Sequence, residues 1–199
     1  MEEQDETRLL ARARKGETEA FRKLYEAHHA GLFRFAYRLT STVEIAEDLT
    51  QESFIRLMAS TTFDKERGSL RQYLYGIMRN LVRQQQQASG REVDWDDEYA
   101  NDPKSTIAPS TDSADSAELS AAVQAAISAL PLPQREAIVL CEFEELSLHE
   151  AAAVVGADVG TIKSRLHRAR EGLRRRLAPY RGHVRMPISR GSSYESTKQ

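Results

Sequence analysis

The side chains with chemical potential in this chain are few and scattered. Its five histidines and single cysteine form no constellation. His28 and His29 are adjacent, and neighbours on a helix point apart rather than chelating together. His149 falls in an amphipathic stretch, where a partly exposed surface position is expected. Cys141 lies in an apolar run, reads as core, and as a lone cysteine excludes an intramolecular disulfide. No Cys-x-x-Cys or His-Cys cluster has metal-ligand spacing. No Ser/His/Asp set, Gly-rich phosphate loop or carboxylate pair supports catalysis. What remains is the chemistry of binding. Residues 159–170 read VGTIKSRLHRAR, a run that gathers Thr161, Lys163, Ser164, Arg165, His167, Arg168 and Arg170. Arg can donate two hydrogen bonds to a guanine edge, Thr and Ser can meet several base edges, and the cations suit phosphates.

Such a set works only if the backbone aims it, and the flanking residues supply the means. Val159, Ile162, Leu166, Ala169, Leu173 and Leu177 recur at helical spacing and predict a buried stripe over 159–178. Thr161, Ser164, Arg165 and Arg168 then fall opposite that stripe, with Lys163, His167 and Arg170 beside them. Asp158 is a candidate N-cap, and Gly156-Ala157-Asp158 predicts a tight turn at a place where glycine's access to positive φ is useful. Ser147 and Glu150 form an S-x-x-E capping box that opens a short helix, Leu148–Val155. Ala152 is small enough for a close crossing, and Ile162 points back into the angle between the two helices. Two helices joined by a short Gly-containing turn read as a helix-turn-helix. The alternative, a merely solvated amphipathic helix, leaves the turn and the caps without a purpose.

The rest of the chain divides by composition. The net charge is −2, but its distribution is uneven. Residues 1–87 are balanced, 92–118 carry nine acids against Lys104 alone, and 159–185 carry nine basic residues against Glu171 alone. That asymmetry points to a polyanionic partner for the basic segment. Helical periodicity fills roughly 5–87. Phe21, Leu24, Tyr25, Leu32, Phe35 and Leu39 mark one helix, and Ile45, Leu49, Phe54 and Leu57 a second, with Ser41 and Glu44 as its expected capping box. Leu70, Tyr73, Leu74, Ile77, Met78 and Leu81 mark a third. Residues 88–114 read as an acidic, flexible linker, in which Trp95 and Tyr99 are unusual. Leu119, Val123, Ile127 and Leu130 begin a second helical zone over 115–180, with Pro133 in the first turn of its next helix, and 181–199 form a polar tail. The fold class expected is all-α, with two small helical domains. The first twenty residues lack a secretory pattern and no eighteen-residue apolar run exists, so a soluble, cytoplasmic protein without membrane insertion is expected.

Both helical zones resemble the extracytoplasmic-function (ECF) sigma factors of bacterial RNA polymerase, the compact branch of the sigma-70 family. LPLPQREAIVLCEFEELSLHEAAAVVGADVGTIKSRLHRAREGLRRRL, residues 130–177, is similar to the domain whose helix-turn-helix reads the −35 promoter element. AFRKLYEAHHAGLFRFAYRL, AEDLTQESFIRLM and GSLRQYLYGIMRNLVRQQ, within 20–85, are similar to the domain that grips core polymerase and opens the −10 element. The resemblance implies a sigma factor with no enzymatic activity and no cofactor. It assigns the −35 contact to the face just described. It assigns the −10 contact to Arg71, Tyr73, Arg79, Asn80 and Arg83, with the loop 62–69 near a flipped base. It assigns docking on the clamp helices of the polymerase's largest subunit to Asp48, Gln51, Glu52, Phe54 and Leu57, Leu57 also being a candidate core residue. Tyr73 stands where many members carry Trp. The implied partners are core RNA polymerase, including its flap region, promoter DNA, and an anti-sigma factor of the kind that restrains many members. The acidic run 92–98 would then mimic a polyanion in a positive polymerase channel. Two other readings stay open: a stand-alone helix-turn-helix regulator, and a sigma mimic that sequesters an anti-sigma protein.

Overall fold

A computed structural model describes residues 3–89 and 116–180; the acidic linker, Trp95, Tyr99 and the tail expected beyond Tyr180 lie outside them. Among the described residues there are eight α-helices and no strand. The N-terminal bundle comprises α1 (Glu3–Ala13), α2 (Thr18–Thr40), α3 (Val43–Ala59) and α4 (Leu70–Ala88). The C-terminal unit comprises α5 (Ser116–Ser128), α6 (Leu132–Ile138), a π turn (Val139–Phe143), α7 (Leu148–Val155) and α8 (Val159–Arg176).

In the bundle, α2 is central. Leu24, His28, Leu32, Phe35, Ala36 and Leu39 follow three- and four-residue steps and are all buried. They meet Ala46, Leu49, Phe54 and Leu57 of α3 and Leu74, Met78 and Leu81 of α4 in one apolar core. Phe35 packs edge-on to Tyr75 with centroids 5.1 Å apart. The expected Ser41–Glu44 capping box does not form. Ser41 instead ends α2 in the left-handed conformation (φ 60°), and Thr42 is the N-cap of α3. The chain must reverse between α2 and α3, and Ser41 is consumed by that reversal. A box that the S-x-x-E pattern does not reveal opens α4: Ser69 accepts from the Gln72 N–H, and the Gln72 side chain accepts from the Ser69 N–H at 3.0 Å.

The helix-turn-helix forms as its residues dictate. Ser147 and Glu150 bond reciprocally at 2.8 and 3.2 Å. Gly156 adopts φ 71° and its N–H closes α7 on the Ala152 carbonyl at 2.8 Å. Asp158 caps α8 by accepting from the Thr161 N–H at 2.8 Å. Ile162, with no exposed surface, fills the angle between the helices. Gly172 lets α8 approach Leu130, since a Cβ there would lie 2.8 Å from Leu130 Cδ2.

The two units meet along α2 and α4. The last carbonyls of a helix have no intrahelical donor, and the C-terminal unit supplies donors to those of α2. The Gln124 amide donates to the carbonyls of Tyr37 and Arg38 at 3.2 and 3.4 Å, and Arg135 donates to that of Leu39 at 2.6 Å.

Candidate nucleic-acid interface

On α8 the stripe Ile162, Leu166, Ala169, Leu173 and Leu177 is buried, which turns Lys163, Ser164, His167 and Arg168 outward, with Thr161 and Arg165 half-buried beside them. The hydroxyl donors are already committed. Thr161 Oγ1 donates to Asp158 Oδ2 at 2.6 Å, and Ser164 Oγ donates to the Thr161 carbonyl at 2.9 Å. Both hydroxyls keep accepting lone pairs, so donation to base edges falls to Lys163, Arg165, His167 and Arg168. The bonds from Thr161 hold the Asp158 carboxyl below its usual range, so the cap stays ionised at neutral pH. Arg170 is tied to Glu142, with Nε 3.1 Å from Oε1.

The α4 residues divide between two settings. Tyr73 and Asn80 line a 440 Å³ cleft between the 62–69 loop and α4, whose far wall is Ala153 and Val154 of α7. Tyr73 organises this loop: its hydroxyl lies 2.6 Å from Ser60 Oγ and 2.8 Å from Thr62 Oγ1, and its ring packs on Phe63 at 5.4 Å. Tyr can therefore serve structurally at this position, its ring inside the cleft wall and its hydroxyl spent on the loop.

Arg79 and Arg83 depart from expectation. They are not on an open polar side of α4 but face α6, where Arg83 donates to both oxygens of Glu136 at 2.8 and 3.0 Å. Arg79 Nε lies 3.1 Å from Glu136 Oε2 as an ion pair. Glu136 has no exposed surface, and the two arginine side chains keep 12% and 11%. Burial lowers the affinity of the Arg79 guanidinium for its proton, an effect Glu136 opposes and the like charges of Arg83 and Arg165 reinforce. Arg165, on the recognition helix, thus sits close to the same patch. A second buried carboxylate, Glu144 (2% exposed), lies 3.6 Å from Arg38 Nη1 and 3.7 Å from Arg71 Nη2. Tyr75 donates to it at 2.5 Å, and burial together with this bond holds the phenol well above its ordinary range. Arg71 also donates to the Glu144 carbonyl at 2.6 Å, and Arg38 covers the Phe143 ring at 4.4 Å. Neither glutamate belongs to a local motif, since their partners Arg83 and Arg71 are distant in sequence. Glu136 carried a signal nonetheless, being the one charged residue in helical register with Leu132, Val139, Leu140 and Phe143, where only a partnered charge belongs.

On α3, Asp48 and Gln51 are exposed and Glu52 is half-exposed, bonded to Arg56 at 2.8 Å. Phe54 and Leu57 are corrected from docking residues to core. They are 3% and 0% exposed because positions 46, 50, 53, 54 and 57 form the side of α3 that packs inward. Phe54 is enclosed by the rings of Tyr25 and Phe21 at 4.8 and 6.1 Å. The exposed large apolar side chains of this helix are Ile55 (62%) and Val43 (45%). Ile55 shares its face with Glu44, Asp48 and Gln51, an apolar point on an acidic surface.

Among the described residues no group of His, Cys, Asp and Glu is arranged to hold a metal ion, and no helix is long and apolar enough to cross a membrane. Burial pushes the Cys141 thiol up to about 11, so it is not a thiolate nucleophile at neutral pH.

The structure thus pairs a helix-turn-helix that has a basic outer face with a helical bundle that has an acidic, apolar-tipped one, the class of a two-unit helical protein built around a helix-turn-helix. Comparison with known proteins gives this class its family. The model of Sigma-70 region 2 matches residues 24–92, and that of Sigma-70, region 4 matches 120–173. The chain is 38% identical over 164 residues to the ECF RNA polymerase sigma factor SigE of Mycolicibacterium smegmatis, covering 79% of this chain and 62% of that protein's length. It is 32% identical over 177 residues to ECF RNA polymerase sigma factor SigW of Bacillus subtilis, covering 84% of this chain and 94% of that one. The solved structure of the sigma factor RpoE from Bartonella quintana, in complex with the anti-sigma factor NepR, matches with a TM-score of 0.63 and 31% identity over 81% of this chain and 98% of that one. The chain belongs to the ECF sigma factors of the sigma-70 family, whose business is transcription initiation with RNA polymerase.

Proposed function

We propose that this chain recruits core RNA polymerase through the outer face of α3 and directs it to promoters by reading two DNA elements. Asp48 and Glu52 provide the acids of the polymerase contact, Gln51 an amide beside them, and Ile55 its apolar anchor. Lys163, Arg165, His167 and Arg168 read the −35 duplex in the major groove, with Thr161 and Ser164 as acceptors. Arg71, Arg79 and Arg83 hold the −10 strand, and the cleft lined by Tyr73 and Asn80 receives an unstacked base. The observation that carries the reading is the capped α7–turn–α8 geometry with its basic outer face, on a chain that matches both sigma regions in order. The anti-sigma complex of the RpoE relative favours an anti-sigma partner here as well.

The test is reconstitution with core polymerase and run-off transcription across a genomic promoter library. Arg165→Ala is expected to weaken −35-dependent transcription roughly 5- to 150-fold, the range of one bidentate base contact, while core binding is retained. Absence of both core binding and transcription for the unaltered chain would sink the proposal. A stand-alone regulator would instead bind duplex operators tightly without polymerase.

A further inference from the structure

A second cavity, of about 310 Å³, lies where α1, α2 and α4 meet the end of the π turn, and its polar lining is Glu6, His28, Arg34, Arg71, Tyr75 and Glu144. Ligand pockets span about 300–1,000 Å³, so this one suits a small metabolite. No promoter or polymerase contact proposed above uses Glu6, His28 or Arg34. His28 and Glu144 are 9% and 2% exposed, and each carries a buried polar atom without a hydrogen-bond partner, Nε2 and Oε1 respectively. Buried polar atoms are ordinarily paired, because an unmade bond costs the full desolvation of the group. Tyr75 takes only the other oxygen of Glu144, and Arg38 Nη1 stops 3.6 Å from Oε1. Gly31 keeps the space open: a Cβ there would stand 3.0 Å from the Tyr75 hydroxyl, 3.8 Å from Glu144 Oε2 and 4.0 Å from Arg34 Nη2.

Charge narrows the ligand. Glu144 is balanced within the protein by Arg38 and Arg71, at 3.6 and 3.7 Å. Two other charges on the cavity are not balanced in this way. The Glu6 carboxylate, with its side chain 11% exposed, has the His28 imidazole beside it at 3.3 Å. Arg34 has no ion-pair or hydrogen-bond partner among the described residues. Residues 28, 31 and 34 follow one another at three-residue steps along one side of α2, so an unmatched carboxylate and an unmatched guanidinium face the same small space. Its complement carries an ammonium and a carboxylate close together. We infer that this cavity is a binding site for a free α-amino acid, whose carboxylate meets Arg34 and Arg71 and whose ammonium meets Glu6, Glu144 Oε1 and His28 Nε2. One carbon separates the two charges of such a ligand, in keeping with a guanidinium that reaches back to the Gly31 position. Charge-assisted hydrogen bonds form at both ends, and the two unpaired atoms gain donors. The contacts come from α1, α2, α4 and the π-turn end, which only the folded chain brings together.

The full chain is titrated by calorimetry with each of the twenty standard α-amino acids, and with sodium acetate and methylammonium chloride as the two halves of the ligand. At least one amino acid is expected to bind one-to-one with a Kd of about 1 mM or lower and to raise the melting midpoint as its concentration rises. Acetate and methylammonium, each keeping one end only, are expected to bind at least about tenfold more weakly. Arg34→Ala, at an exposed position, removes the carboxylate contact, and Glu6→Gln keeps shape while removing the charge opposite the ammonium. Each is expected to weaken binding about tenfold or more, the loss of one hydrogen bond between charged groups. Failure of all twenty to bind at concentrations up to about 10 mM overturns the inference. So does binding of either half as tight as that of the best amino acid. A folded Arg34→Ala or Glu6→Gln chain with the affinity of the parent overturns it too. Core binding and run-off transcription without added amino acid test the promoter reading separately, so either can fail while the other stands.

Discussion

Ile162→Ala is the sharpest probe of the DNA-reading unit. Ile162 has no exposed surface and sits where α7 and α8 cross, against a buried set that includes Ala151, Val155 and Leu166. The substitution deletes three carbons, about 2.4 kcal/mol at roughly 0.8 per buried methylene, and the remaining cavity carries the total to about 3–4 kcal/mol. A unit the size of 116–180 has a stability on the order of 3–10 kcal/mol. The loss is therefore a large part of the total, and α8 should detach from α7 well below the melting temperature of the parent. Urea denaturation followed by circular dichroism measures the stability, and footprinting of a −35 duplex by the holoenzyme measures the consequence. His167→Ala is the control, since this exposed side chain of the outer face should impair the footprint when removed while leaving stability within about 0.5 kcal/mol. An Ile162→Ala chain that unfolds within about 1 kcal/mol of the parent would refute the packing on which the recognition helix depends.

Ile55→Glu places a charge at a 62% exposed position, so melting should be unchanged while core-polymerase affinity falls about tenfold, as for loss of a modest interface anchor; unaltered affinity in a pull-down titration would remove α3 as the docking face. Gly172→Ala sets a helix-propensity gain of about 1 kcal/mol against overpacking of about 1–3 kcal/mol. The Cβ would lie 2.8 Å from Leu130 Cδ2 and 3.1 Å from Arg176 Nη1, and Leu130 is only 3% exposed, so we expect a net loss and a lower melting temperature, and a rise would show that Leu130 can move aside. Glu150 is held below its ordinary value of 4.5, first by the Ser147 backbone bond and then by the Ser147 hydroxyl. Asp158 is held below 3.8 by Thr161. Groups whose folded pKa is depressed stabilise the fold above their unfolded pKa, and that contribution disappears as pH falls through the folded value. Amide exchange in α7 and α8 should accordingly accelerate below about pH 4.5, and Glu150→Gln with Asp158→Asn should flatten that response; an unchanged acid limb in the double variant would show that the caps do not govern it.

The legible parts of this chain were those set by local rules. The Ser147–Glu150 box, the Gly156 turn and the Asp158 cap each depend on neighbours within four residues, and each formed where the sequence put it. Ser41 shows the limit of such reading, because an identical S-x-x-E pattern yielded to a helix reversal that needed Ser41 in a left-handed conformation. The Ser69 box is hidden from that pattern for the converse reason, since its partner is Gln72 rather than an acid. Phe54 and Leu57 had the right chemistry for docking but the wrong phase, and only the packing of α3 on α2 reveals which side of it faces out. Glu136 and Glu144 were least legible of all. Their partners Arg79, Arg83 and Arg71 lie more than fifty positions away in sequence, and periodicity carries no information about which distant cation a buried acid will meet.

The capping of α2 by Arg135 and Gln124 has a further consequence, for how freely this chain can vary. Their acceptors on α2 are the main-chain carbonyls of Tyr37, Arg38 and Leu39, which every amino acid provides. Substitutions at these three positions leave the acceptors in place and answer only to their own packing. The whole coding burden of that join rests on one arginine and one glutamine, so a single codon change at 135 would undo what changes at several acceptor positions could not.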